Sequence, residues 1–169
     1  IGLGTMGRNL LLNMADNHFA VVGFDRTPAK AAAFEASANP NTMVKGVSDY
    51  TLMVQLLKRP RKIMLLVPAG KPVDDVIDHL VPLLEKDDIV IDGGNSHFTD
   101  TLVRIKFLEE KGIHFMGIGV SGGEMGARTG PSIMPGGDEL AWKHVKPILE
   151  AVSAKVDGQP CVAYMGKWA

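Results

Sequence analysis

At 169 residues, with 46 % apolar and 22 % charged residues, the chain has the balance of one globular domain and enough apolar mass to bury a core without disulfide staples. A formal net charge of −1 excludes a strongly basic nucleic-acid binder, and no apolar run approaches the roughly 18 residues of a membrane span. The single cysteine, Cys161, excludes an internal disulfide and fits a reducing, cytoplasmic setting.

The chain opens at Ile1 directly before GLGTMG, residues 2–7. This fits G-x-G-x-x-G, in which Gly2 permits a tight turn, Gly4 lets a pyrophosphate approach the backbone, and Gly7 lets the following helix pack closely on a sheet. A helix is expected over 6–16, its N-terminus offering free N–H groups and a positive dipole end to phosphates. AVVGF (20–24) reads as a strand ending at Asp25, about 20 positions beyond the glycines, where an acid takes the ribose hydroxyls of NAD. Arg26, Thr27 and Lys30 follow and suit the 2′-phosphate of NADP instead. NADP is favoured and NAD stays open; Asp25 could also cap the helix beginning at Pro28. Only Ile1 would remain of a first strand, and the end at YMGKWA is abrupt, so the chain reads as cut at both ends.

Helices are expected over 28–38, 48–58 with Ser48 as N-cap, 72–84, 99–111 and 138–152, and strands over 62–67, 88–92 and 113–120, with small strands near Lys155 and Val162. Pro28 and Pro72 suit first-turn positions. Lys58, Arg59, Arg61 and Lys62 around Pro60 read as a solvated turn. Asp74 and Asp75 read as exposed acids favoured by the start of a helix. KIMLLV and DIVID are nearly continuous apolar runs, as strands covered on both faces are. The alternation predicts a Rossmann-type, doubly wound α/β fold: a mostly parallel sheet with helices on both faces.

Two further stretches follow strand ends, where open α/β sheets bind ligands. In DGGNS the glycines expose backbone and Asn95 offers both a donor and an acceptor. In VSGG, Ser121 can bond a carboxylate and the N–H groups of Gly122 and Gly123 can form an anion nest; Glu124 reads as structural or solvated. GPSIMPGG reads as a shaped turn and strand that supports this loop. The five histidines have no metal spacing, so no metal is expected.

In order, GLGTMGRNLLLNM, DRTPAK, LLVPAG, IDGGNS and GVSGGEMGARTGPSIMPGG resemble the N-terminal domain of decarboxylating 6-phosphogluconate dehydrogenases along essentially the whole chain. IDGGNS and GPSIMPGG are the most specific pieces. The resemblance implies NADP contacts at Gly2, Leu3, Gly4, Thr5, Met6, Gly7, Asp25, Arg26 and Thr27, where the family usually has Asn at position 25. It implies further cofactor contacts at Val67, Pro68 and Ala69. Asn95 would touch both cofactor and sugar acid, and Ser121, Gly122 and Gly123 would hold the substrate near its carboxylate. Asn95 and Ser121 would orient the substrate during catalysis.

The implied reaction is oxidative decarboxylation of 6-phosphogluconate to ribulose 5-phosphate and CO₂. The general-base Lys and the acid Glu would lie on helices of a second, all-helical domain outside this chain. Residues 1–162 would then be the dinucleotide-binding domain and 163–169 the start of the connection, in a protein that is a homodimer when full length and contacts neither nucleic acid nor membrane. The alternatives are a β-hydroxyacid dehydrogenase of the 3-hydroxyisobutyrate type and a non-catalytic NADP-binding module.

Overall fold

A computed structural model describes residues 1–167; the last two positions of the expected connection, 168 and 169, lie outside the described residues. The chain runs α1 (Thr5–Asp16), β1 (Val21–Phe24), α2 (Pro28–Ala36), β2 (Val44–Val47), α3 (Tyr50–Leu56), β3 (Lys62–Leu65), α4 (Lys71–Leu80), β4 (Ile89–Asp92), α5 (Phe98–Glu109), β5 (His114–Ser121), α6 (Gly123–Thr129), β6 (Ser132–Gly137), α7 (Glu139–Val152), β7 (Lys155–Val156) and β8 (Gln159–Pro160). β1 and β2 pair in parallel, as do β3 with β4 and β4 with β5; β6 closes the second sheet antiparallel to β5.

The core lies on both faces of this mostly parallel array. Ile89 and Ile91 of β4 enter one apolar cluster, with Leu10 and Met14 of α1 and Val145 and Leu149 of α7. Val90 between them enters the other, with Val73 and Leu80 of α4 and Ile105 and Leu108 of α5. Alternate side chains of one strand thus meet opposite helical layers, which is why the strand sequences show no polar alternation.

Between β1 and β3 runs an apolar slot of about 650 Å³, lined by Val21, Val22, Ile63 and Met64 among others. Residues 1 and 2 sit at its end and already bond both sides. The Ile1 ammonium donates to Met64 O (2.7 Å), Leu66 N donates to Ile1 O (2.9 Å), and Gly2 N donates to Phe24 O (2.9 Å). The slot is therefore a gap between the two sheets, away from the loops expected to bind ligands.

Several local expectations change. The strand β2 and the helix α6 were not foreseen: VKGV is a short half-polar run, and GEMGART carries two glycines. Asp49, not Ser48, caps α3, accepting from Leu52 N at 2.7 Å. Val162 forms only an isolated bridge with Ile133. The basic run around Pro60 is not simply solvated. Arg61 N donates to Asp88 Oδ1 and its Nη1 to Asp88 Oδ2, both at 2.8 Å, and Asp88 is fully buried. Arg59 and Arg61 also pair with Glu85. A buried carboxylate needs such partners. Beyond β8 the chain is not loose: Met165 N donates to Pro135 O and Gly137 N to Gly166 O, so residues 165 and 166 run along β6.

Candidate functional site

Because β1, β3, β4 and β5 run in parallel pairs, their carboxyl ends carry the loops that the sequence singled out. Gly4 is the N-cap of α1 and offers no side-chain cap, and the first turn of α1 holds no acid. The leading N–H groups and the positive dipole end are uncompensated, an arrangement suited to a pyrophosphate. The turn before it is tight enough to demand glycine. A Cβ on Gly2 (φ +92°) would lie 2.5 Å from Leu66 O, and one on Gly7 would lie 1.9 Å from Gly2 O. Leu3 is buried and Gly4 and Thr5 are exposed, with Met6 half-buried.

Asp25 is fastened to this turn. Its Oδ2 accepts from Leu3 N (3.2 Å) and its Oδ1 from Thr27 N (3.0 Å). Burial pushes its pKa up, but the Thr27 and Leu3 amides and then Lys30 outweigh that, so the carboxyl stays below its ordinary value. Thr27, not Asp25, is the N-cap of α2; Asp25 shapes the entry to the cap instead. Arg26 and Thr27 are exposed beside it.

The loop after β3 carries Val67, Pro68 and Ala69, the last two exposed. It meets the glycine turn at Leu66 and Val67, and it meets the next loop closely: a Cβ on Gly94 would lie 2.4 Å from Val67 O. That next loop holds Asn95, exposed and in the left-handed region at φ 61°, a conformation Asn tolerates better than most residues. Its flanks are pinned. Gly94 N donates to Asp92 Oδ1 (2.9 Å) and the Ser96 hydroxyl to Asp92 Oδ2 (2.6 Å). The Asn95 side-chain amide makes no hydrogen bond among the described residues.

Ser121 ends β5, Gly122 (φ +134°) caps α6, and Gly123 (φ +60°) begins it; all three are exposed. The strands expected before and after this loop are β5 and β6, and the element not expected is the helix α6 between them. Asn9 Nδ2 of α1 donates to Glu124 Oε1 (3.4 Å), and buried Asn13 donates to both Ala127 O (3.2 Å) and Val152 O (2.9 Å). One asparagine thus joins α1, α6 and α7, and Glu124 is a structural neighbour of the glycine-loop helix.

The glycine turn abuts Leu66 and Val67 and is bonded to Asp25, and Val67 abuts Gly94, so four of the five segments named from the sequence share one edge. The fifth is tied to α1 through Glu124 and Asn9. Sequence reasoning missed Asp92 and Arg104, which shape that edge from below. Arg104 falls on the buried stripe Thr101, Arg104, Ile105, Leu108 of α5, and a cation at spacing i, i+3, i+4 within an apolar face was the available signal. Among the described residues no group of three or more His, Cys, Asp or Glu is placed to hold a metal ion, and no helix is long and apolar enough to cross a membrane.

A family model described as the NAD binding domain of 6-phosphogluconate dehydrogenase matches residues 1–166. A decarboxylating 6-phosphogluconate dehydrogenase of Candida albicans is 54 % identical over 166 residues, covering 98 % of this chain and 32 % of that protein. The solved Plasmodium falciparum 6-phosphogluconate dehydrogenase, described with its cofactor NADP+ and its substrate 6-phosphogluconate, superposes with a TM-score of 0.94 at 42 % identity, over 99 % of this chain and 36 % of that one. A Mycobacterium tuberculosis 3-hydroxyisobutyrate dehydrogenase shares the fold at TM-score 0.79 and 24 % identity, over 99 % of this chain and 53 % of that one. The chain spans about a third of the length of the curated relatives it matches.

Proposed function

Because the chain belongs to the family of the NAD binding domain of 6-phosphogluconate dehydrogenase, we propose that it is the cofactor-holding part of an NADP-dependent enzyme that oxidises and decarboxylates 6-phosphogluconate. The observation that carries this reading is the close approach of the uncapped glycine turn to the 66–67 loop, and of that loop to Gly94 beside Asn95. In a chain 54 % identical to a decarboxylating relative, those loops have a defined chemistry to perform.

The glycine turn and the N–H groups of α1 hold the pyrophosphate. Arg26 and Thr27 reach the 2′-phosphate, and Val67, Pro68 and Ala69 line the nicotinamide end. The bound nicotinamide supplies the hydride acceptor. Asn95 orients the sugar hydroxyl at C3 through an uncharged amide. Ser121 with the Gly122 and Gly123 amides holds the carboxylate that is lost as CO₂. Oxidation at C3 makes a β-keto acid, whose carbonyl takes the electron pair released with CO₂, so the protein supplies orientation and proton transfer rather than an electron sink. The base that removes the C3 hydroxyl proton and the acid that protonates the enediol come from outside this chain. Residues 1–162 are the dinucleotide-binding domain and 163–169 the start of the connection. The complete protein is a cytoplasmic homodimer.

The test is an assay of the intact protein. NADPH, CO₂ and ribulose 5-phosphate are expected in equal amounts from 6-phosphogluconate; turnover of 3-hydroxyisobutyrate in its place overturns the reading. The isolated chain is expected to bind NADP(H) weakly without turnover, and ribulose 5-phosphate formation by it alone would refute the division of labour.

Cofactor preference turns on Asp25. Replacing it with Asn removes a negative charge beside the 2′-phosphate, and the NADP-over-NAD ratio of affinities is expected to rise about tenfold, or about 1.4 kcal/mol. An amide has one acceptor oxygen for the two backbone N–H groups of Leu3 and Thr27, so stability should fall by about 1 kcal/mol at the same time. Titration with both cofactors checks the first effect, and an unchanged ratio counts against it.

A further inference from the structure

The guanidinium of Arg104 is buried, the residue being 5 % exposed, and its donors serve four acceptors in three places. Nε donates to Asp74 Oδ1 in the first turn of α4 (2.7 Å). Nη1 donates to Asp92 Oδ2 at the end of β4 (3.2 Å) and to Ser96 Oγ (3.0 Å). Nη2 donates to Gly70 O (3.1 Å), where the 67–69 loop turns into α4 at φ +83°. Asp74, expected as a solvated helix-start acid, is therefore one arm of this cluster.

These partners are the roots of two ligand loops, not of the core. Gly70 closes the segment carrying Val67, Pro68 and Ala69. Asp92 and Ser96 bracket Asn95, and Asp92 also receives Gly94 N. A buried cation facing two carboxylates gains little net stability over well-packed apolar side chains. What a planar, five-donor fork does supply is fixed geometry among several acceptors.

Resting on the function proposed above, we propose that Arg104 is a positioning residue: it holds the nicotinamide-side loop and the Asn95 loop in mutual register, so that the Asn95 amide meets the sugar acid where hydride leaves. It touches neither ligand. It acts through Ser96 and Asp92 on Asn95, and through Gly70 on the 67–69 segment. A lysine keeps the charge but has one nitrogen to serve four acceptors, so the register loosens while the net charge of the cluster is unchanged.

The experiment uses the full-length protein with Arg104→Lys, Asn95→Ala and the double variant. Arg104→Lys is expected to lower kcat roughly 30-fold, as displacement of a reacting group by a fraction of an ångström does. It is also expected to raise the NADP+ Kd about tenfold, with a melting temperature within a few degrees of the parent. In the Asn95→Ala background its further effect on kcat should shrink to less than about threefold, because the group it positions is gone. Full additivity of the two changes, or an unchanged kcat for Arg104→Lys, overturns the proposal.

If Arg104→Lys does not fold, Ser96→Ala removes one strut without a charge change. It should lower kcat about tenfold, again only when Asn95 is present; no change in kcat overturns the proposal equally. Failure of the parent to oxidise 6-phosphogluconate refutes the functional reading instead. The loop-register claim is then decided by the NADP+ titration of Arg104→Lys, where an unchanged Kd sinks it.

Discussion

Replacing Gly7 with Ala is expected to cost roughly 3 kcal/mol of stability and to abolish measurable NADP(H) binding, the stability loss following from overpacking against rigid backbone. The added Cβ would sit 1.9 Å from Gly2 O and 3.4 Å from Leu66 Cβ. Gly2 cannot retreat, because its own Cβ position lies 2.5 Å from Leu66 O and its N–H is committed to Phe24 O. The turn must lift or α1 must move off the sheet, and either displaces the N–H groups that would hold the pyrophosphate. Chemical denaturation and a cofactor titration together check this. A variant that binds NADP(H) like the parent refutes the role assigned to the turn.

The second large effect concerns the slot between β1 and β3. A protein beginning at Ile1 should gain several kcal/mol when four or five β-branched apolar residues are added before it. Each buried Val or Ile contributes about 1.5–3 kcal/mol, against about 1–2 kcal/mol per residue of backbone ordering. The added segment also bonds strand edges on both sides. The bonds already made by Ile1 and Gly2 set its register and direction.

The extension has a pH signature. Burial lowers the Ile1 ammonium from 8.0 to about 5, with Asp25 partly opposing. Between those values the unfolded chain holds a proton that the folded chain lacks, so stability rises as pH goes from 5 to 8, by up to about 4 kcal/mol. An extension replaces the ammonium with an amide and removes this dependence. Denaturation midpoints at pH 5.5 and pH 8, with and without the added residues, decide the matter; equal stability of the two proteins would show that the slot does not accept a strand.

What the sequence disclosed followed from how local each signal is. The glycine turn, α1 and the buried strands carry their periodicity and punctuation within a dozen residues, and each stands where expected. α6 was hidden because Gly123 and Gly126 are poor helix formers, and the helix exists through packing of Ala127 on the core and the bond from Asn13. β2 was hidden because Lys45 and the half-buried Val44 and Gly46 break the apolar run. Arg61 looked solvated because its partner Asp88 lies 27 positions away. Asp74 is exposed at the start of α4 as expected, but its pairing with Arg104, 30 positions away, was not visible. The residues proposed to face ligands were singled out as polar and glycine positions after strands, and Asn95, Ser121, Gly122 and Gly123 stand there exposed. The buried charges proposed to aim them were not, since a charge within an apolar face gives no hint of which distant acid it meets.

Asn13, bonded to Ala127 O and Val152 O, has a mechanical consequence. The helix proposed to receive the pyrophosphate and the helix that begins at Gly123 are tied together by one side chain. A movement that closes the proposed site over its substrate is then expected between these joined helices and whatever approaches them, rather than between α1 and α6.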